Sequence, residues 1–132
     1  MSVRRQLGWA AVGVMLLGCG QRVPFERRLA GSSRIEVRHN DRVLRAVDNE
    51  ATITKAVEFI TSRSGGWSQD WAGTPVPVFV VYFFRGKQIV GGYGVGPDFL
   101  TTDPGPVFWS RSVSPSEARE IANILGVDLE RR

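Results

Sequence analysis

Cysteine and histidine each occur once in this 132-residue chain, as Cys19 and His39. One thiol excludes an internal disulfide, and one imidazole excludes the clustered His/Cys sets of a structural zinc site. A Ser–His–Asp hydrolase would have to recruit His39 from the turn-like run His39-Asn40-Asp41-Arg42, and no G-x-S-x-G elbow accompanies it. A glycosidase needs only two carboxylates, but Asp98 and Asp103 each adjoin a proline, where Asp is a routine turn residue. No cofactor motif is present either. The glycines of Gly91-Gly92-Tyr93-Gly94-Val95-Gly96 fit no G-x-G-x-x-G register, and Pro97 follows where a phosphate loop needs a helix to begin.

Long apolar runs are also missing. The longest near the start, Leu7 to Leu17, is about eleven residues, against the roughly 20 that cross a bilayer as a helix. What it does fit is a secretory leader: Arg4 and Arg5 first, then the apolar run, then a small residue. Its ending, Leu16-Leu17-Gly18-Cys19, resembles the lipobox of bacterial lipoproteins. That resemblance covers only the leader. It implies cleavage before Cys19, a diacylglyceryl group on its sulfur and usually an acyl chain such as palmitate on the new N-terminus. Two or more chains are enough for stable anchoring without a membrane-spanning segment. Lipidation would also occupy the single thiol, a liability in an exported protein if left free. Gly20 in place of Asp after the cysteine leans toward the outer membrane, with the domain facing the periplasm. Arg4-Arg5 suits either the general or the twin-arginine export route.

The leader changes the reading of charge. Of 17 Lys+Arg residues, two are Arg4 and Arg5, which leaves 15 against 13 Asp+Glu in the mature chain. The overall charge of +4 therefore carries no case for a nucleic-acid partner. Removing residues 1–18 from 132 leaves 114, enough for one domain. We read residues 19–33 as a lipidated cysteine and flexible tether, whose arginines can rest on anionic headgroups, and residues 34–132 as one globular domain.

Within it, Arg34 to Arg38 alternates polar and apolar as a half-buried strand does. Asp48 is placed to cap a helix over 49–64, with Ile53, Ala56, Val57 and Ile60 as its apolar stripe, Phe59 widening it, and Gly65-Gly66 ending it. Val78 to Phe84 is a central strand, Arg85-Gly86-Lys87 a hairpin turn, and Gln88 to Val95 the partner strand. Val107 to Val113 is the last strand. Ser114-Pro115-Ser116-Glu117 is a capping box opening a final helix, closed by Gly126. The expected class is α+β: a single antiparallel sheet of about 4–5 strands with two helices packed on one face, in the order β(β)αβββα. The strand count turns on whether 43–47 and 99–102 join the sheet.

One feature points to binding. Trp67 and Trp71 lie in a loop with Asp70 beside them, and Tyr93 stands between glycines. Aromatics in such places offer large rigid contact area with one polar handle, so Trp67, Asp70, Trp71 and Tyr93 form the candidate ligand site, a shallow groove beside a flat strand. The competing expectation has Trp67 capping the first helix and Trp109 filling the core. The function these features favour is a membrane-anchored envelope lipoprotein with a small non-catalytic domain binding a periplasmic protein or peptidoglycan. An inhibitor or immunity-like module against a hydrolase and a small glycan-acting enzyme are the alternatives.

Overall fold

The structure, a computed structural model, describes residues 22–69, 75–103 and 109–129. It opens with a short helix, α1 (Phe25–Leu29), where a tether was expected. Phe25 and Leu29 stand at i and i+4 and both are buried, as is Val23 before them. The Val23 amide donates to the Ser64 carbonyl at 2.8 Å, fixing the chain from that point. Burying Phe25 and Leu29 contributes roughly 1.5–3 kcal/mol each. Among the described residues the core thus begins at Val23, not at Arg34.

The alternation of Arg34–His39 makes strand β1. Asn40 and Asp41, at φ 49° and 66°, then turn the chain into β2 (Arg42–Val47). Two successive left-handed residues form the hairpin turn that matches strand twist, and Asn and Asp tolerate it best after glycine. Helix α2 (Glu50–Thr61) follows. Its cap is Asn49, whose side chain accepts the Thr52 amide at 3.0 Å, rather than Asp48. It ends at Thr61, before the glycine pair, and Phe59 is buried where Val57 is only partly so. A two-residue strand, β3 (Ser68–Gln69), precedes a meander of β4 (Phe79–Arg85), β5 (Gln88–Val95), β6 (Phe99–Asp103) and β7 (Trp109–Ser112). Helix α3 (Pro115–Leu125) has the full capping box: Ser114 Oγ accepts the Glu117 amide at 3.0 Å, and Glu117 Oε1 accepts the Ser114 amide at 2.9 Å. Gly126 closes it in the left-handed conformation.

All seven strands form one antiparallel sheet in the order β2-β1-β4-β5-β6-β7-β3. This corrects the expected α+β class of four or five strands and two helices: the fold is mostly sheet, with seven strands and three helices among the described residues. The physical reason lies at the edges. Residues Ser68 and Gln69 pair with Ser110 and Trp109 in the backbone ladder, which needs no apolar alternation in β3. Strands β2 and β6 both join the sheet.

Helix residues Phe25, Ala56, Phe59, Ile60, Ala118, Ile121 and Leu125 share one apolar core with Ile35, Val37, Val81, Phe83, Tyr93 and Val95. These sheet residues face the same way, since Ile35 pairs with Phe83, Val37 with Val81, and Val81 with Tyr93. Gly91 lies on this face too, directly under Leu29, where a Cβ would come within 2.9 Å of the leucine methyl. No helix among the described residues is long and apolar enough to cross a membrane.

Candidate functional site

Of the four residues expected to bind a ligand, the described residues include two, Trp67 and Tyr93. Trp67 and Tyr93 are both fully buried. Trp67 Nε1 donates to the Arg63 carbonyl at 2.7 Å, so the indole closes the end of α2, as the competing expectation had it. Tyr93 points into the core under the helices, with ring centroids of Phe25, Phe59 and Phe83 at 6.4, 6.5 and 5.8 Å. Burial holds its phenol well above the ordinary ionisation range, the charge of Arg63 opposing only in part. The pair thus meets through Phe25, which lies 5.4 Å from Trp67, but as core rather than as groove. Asp70 and Trp71 lie outside the described residues, as does Cys19. Trp109 is half-buried against the core, and its amide donates to Thr102 Oγ1 at 3.1 Å.

The single histidine is structural. His39 Nδ1 lies 2.6 Å from the Val78 carbonyl, so that nitrogen carries the proton and donates, tying the end of β1 to the start of β4. Asn40 Nδ2 stands 3.3 Å from Nε2. Among the described residues no group of three His, Cys, Asp or Glu could hold a metal. Asp98 lines an open depression of about 610 Å³ with Val78, Pro97, Arg119, Asn123 and Asp128 beside α3.

What the fold does present is the other face of the sheet, on which no helix of the described residues packs. The period of two that sends Ile35 and Val37 inward sends Arg34, Glu36 and Arg38 outward. Across the ladder, Arg34 pairs with Phe84, Glu36 with Tyr82 and Arg38 with Val80. Glu36 sits between its neighbours: Oε1 accepts from Arg38 Nη2 at 2.6 Å and Nε at 3.0 Å, and Oε2 lies 3.3 Å from Arg34 Nη2. The two guanidinium groups lie over aromatic rings, Arg34 at 4.3 Å from the Phe84 centroid and Arg38 at 5.0 Å from that of Tyr82. Each such stack contributes about 0.5–1 kcal/mol at an exposed site. Phe84 is 5 % exposed although it lies outside the helix-covered core, so Arg34 shields it from water. The Nε of Arg34 is buried over that ring without a hydrogen-bond partner.

The glycines of β5 set the relief of this face. Gly92 and Gly94 pair with Tyr82 and Val80 and so point outward. A Cβ on Gly92 would lie 2.6 Å from the Val81 carbonyl oxygen and 3.4 Å from the Tyr82 ring, which leans over the glycine. Gly94 is covered by Pro77 and Thr101 in the same way. Arg38, Tyr82 and Gly92 therefore form a layered stack running across three adjacent strands. The expected flat strand exists, but the groups beside it are an arginine–glutamate ladder, the half-buried Tyr82 ring and the buried Phe84 ring. The alternation Arg34-Ile35-Glu36-Val37-Arg38 contained that information: a strand with one apolar face must aim its charges at the other.

Planar cations on aromatic rings, with one shared carboxylate, can contact polar polymers or a protein surface. They supply no nucleophile–base pair. Comparison of the chain with protein families, with characterised proteins and with solved structures returned no match.

Proposed function

We propose that this chain is a cell-envelope lipoprotein, cleaved before Cys19 and held by acyl chains on that residue. Its domain is a non-catalytic binding module facing the periplasm. The observation that carries the binding role is the sheet face that no helix of the described residues covers, where Arg38–Tyr82–Gly92 and Arg34–Phe84 line up across β1, β4 and β5. Its groups are contact groups, and the Glu36 carboxylate among them is held by both arginines. The occupant is an envelope component, a periplasmic protein or peptidoglycan. The leader Met1–Cys19 supports the anchor.

Two experiments test this. Cys19→Ser should move the chain from the membrane fraction to the soluble periplasm, or leave it as uncleaved precursor. Normal processing with unchanged membrane retention would refute the anchor. A photo-crosslinker in place of Val80, on the open face, should trap an envelope component in cells. The same group at exposed Glu120 on α3 should trap none. Equal products from the two positions would refute this face as the contact surface.

A further inference from the structure

The short distance between Cys19 and the fold limits how the domain can sit. Four residue steps separate Cys19 from Val23, whose amide is already bonded to Ser64. Each step spans at most about 3.3–3.6 Å, so the reach is about 14 Å at full extension. A domain tied to lipid at Cys19 cannot turn freely above the bilayer; the end that carries Val23 must stay near the headgroups.

That end is basic. From Val23 helix α1 leads to the β4–β5 turn at 85–89, which the segment 28–30 touches, while the exposed Asp48 and Glu50 follow Val47 on the β2 side, level with Arg34. Arg85 Nη2 donates to the Ala30 carbonyl at 2.5 Å, the Gly86 amide donates to Ser33 Oγ at 3.3 Å, and Gly91 lies under Leu29 and Arg28. The two segments, Arg22 to Gly31 and Arg85 to Ile89, hold Arg22, Arg27, Arg28, Arg85 and Lys87 against one carboxylate, Glu26. All five cations are exposed, and none forms an ion pair with a carboxylate among the described residues. Arg22 and Arg27 border an open depression of about 660 Å³ beside Pro24 and Phe25. Ile89, 47 % exposed, stands two residues from Lys87. At the opposite ends of the strands lie Asp41, in the β1–β2 turn, and Asp98 and Asp128 by the depression at α3.

We propose that this basic collar seats the domain on anionic phospholipid headgroups, with the β4–β5 turn and α1 down and the β1–β2 turn away from the membrane. The proposal rests on the lipid-anchor reading for its geometry, while its charge pattern stands alone. Basic side chains near an anionic surface attract it additively, and the attraction falls off within a Debye length of about 8–10 Å. The short tether keeps the collar inside that range. Seating in this orientation also sets the open sheet face, which runs from Arg34 at the collar to Arg38 beyond it, along the membrane normal, facing sideways rather than against the lipid.

The test uses the mature chain extracted from membranes, after its intact mass has established whether Cys19 is acylated. With Cys19 acylated, I89C and, separately, D41C carry an environment-sensitive dye, and the chain is reconstituted in vesicles of phosphatidylcholine with and without 30 % phosphatidylglycerol. The expected result is a blue shift and quenching by lipid-borne quencher at position 89, only with phosphatidylglycerol, and neither at position 41. Half-molar salt should abolish both. Equal signals at the two positions, or a signal indifferent to phosphatidylglycerol, would overturn the proposal. An unacylated chain would refute the anchor, and the collar is then read by vesicle sedimentation. Binding to phosphatidylglycerol should fall on the order of 100-fold in the triple variant R27A/R28A/K87A, and the absence of any phosphatidylglycerol-dependent binding would overturn it. All three side chains are exposed, so circular dichroism of the variant should match the parent.

Discussion

Tyr93 Oη, from the middle of the sheet, donates to the Ala56 carbonyl of α2 at 3.2 Å inside the buried core. This is a side-chain bond joining sheet to helix in the core, and it explains why a tyrosine stands where a phenylalanine would fill the same space. Tyr93→Phe should cost about 1 kcal/mol, the net worth of one such bond, and should leave the fold intact. The pH dependence is sharper. The folded phenol ionises well above its ordinary value near 10, so its contribution is fully present below pH 10 and is lost as pH rises beyond that. Urea midpoints at pH 8 and pH 11 should differ more for the parent than for Tyr93→Phe; equal differences would show that Tyr93 is not the buried titrating group.

Gly92 and Gly86 make a controlled contrast. Gly86 turns the β4–β5 hairpin at φ +62° with open space where a side chain would go, so Gly86→Ala meets only backbone strain, about 1 kcal/mol. Gly92 has no such strain, but its added methyl would meet the Val81 carbonyl, which cannot swing aside as a side chain could. Gly92→Ala should cost about 1–3 kcal/mol at least, more than Gly86→Ala, and should lower the yield of the Val80 cross-link by displacing Tyr82. Denaturant melts of the two variants decide it.

Leu29→Ala tests where the domain begins. Residues 22–33 would be indifferent to it if they were only a tether. With Leu29 buried over Gly91, the loss should be about 2–5 kcal/mol. A melting temperature unchanged within error would return this segment to linker status.

The capping box of α3 is tied to the end of α2: Arg63 Nε donates to Glu117 Oε2 at 2.8 Å while Oε1 accepts the Ser114 amide. That amide first, and then the Arg63 guanidinium, hold the Glu117 carboxyl below its usual range. A carboxylate with a lowered folded value stabilises above its unfolded value and loses that contribution as pH falls through the folded one. Ser114→Ala should cost about 1 kcal/mol at pH 7. Glu117→Gln should flatten the fall of stability on the acid side of pH 4.5, and a parent-like acid limb would refute that role.

Much of this protein is decided by adjacent residues. The capping box at Ser114–Glu117, the left-handed Gly126, the alternation of Arg34–Arg38 and the β4–β5 hairpin all act over a few positions, because hydrogen-bond and torsional preferences are local; each is where the sequence put it. The lipid anchor proposed at Cys19 likewise rests on consecutive residues of the leader. Tertiary structure decided what depends on partners far along the chain. Ser68–Gln69 becomes a strand only because β7 lies alongside, and Phe25–Leu29 becomes a helix because Gly91 leaves room for Leu29. Trp67 and Tyr93 have the composition of a binding site and the burial of a core, since an aromatic ring is equally suited to either, and only the packing of three helices over one face of the sheet fixes which. The open face was encoded in the same alternation that built β1, yet the meeting of Arg38, Tyr82 and Gly92 required strand register, a property of pairing between residues as much as 50 positions apart.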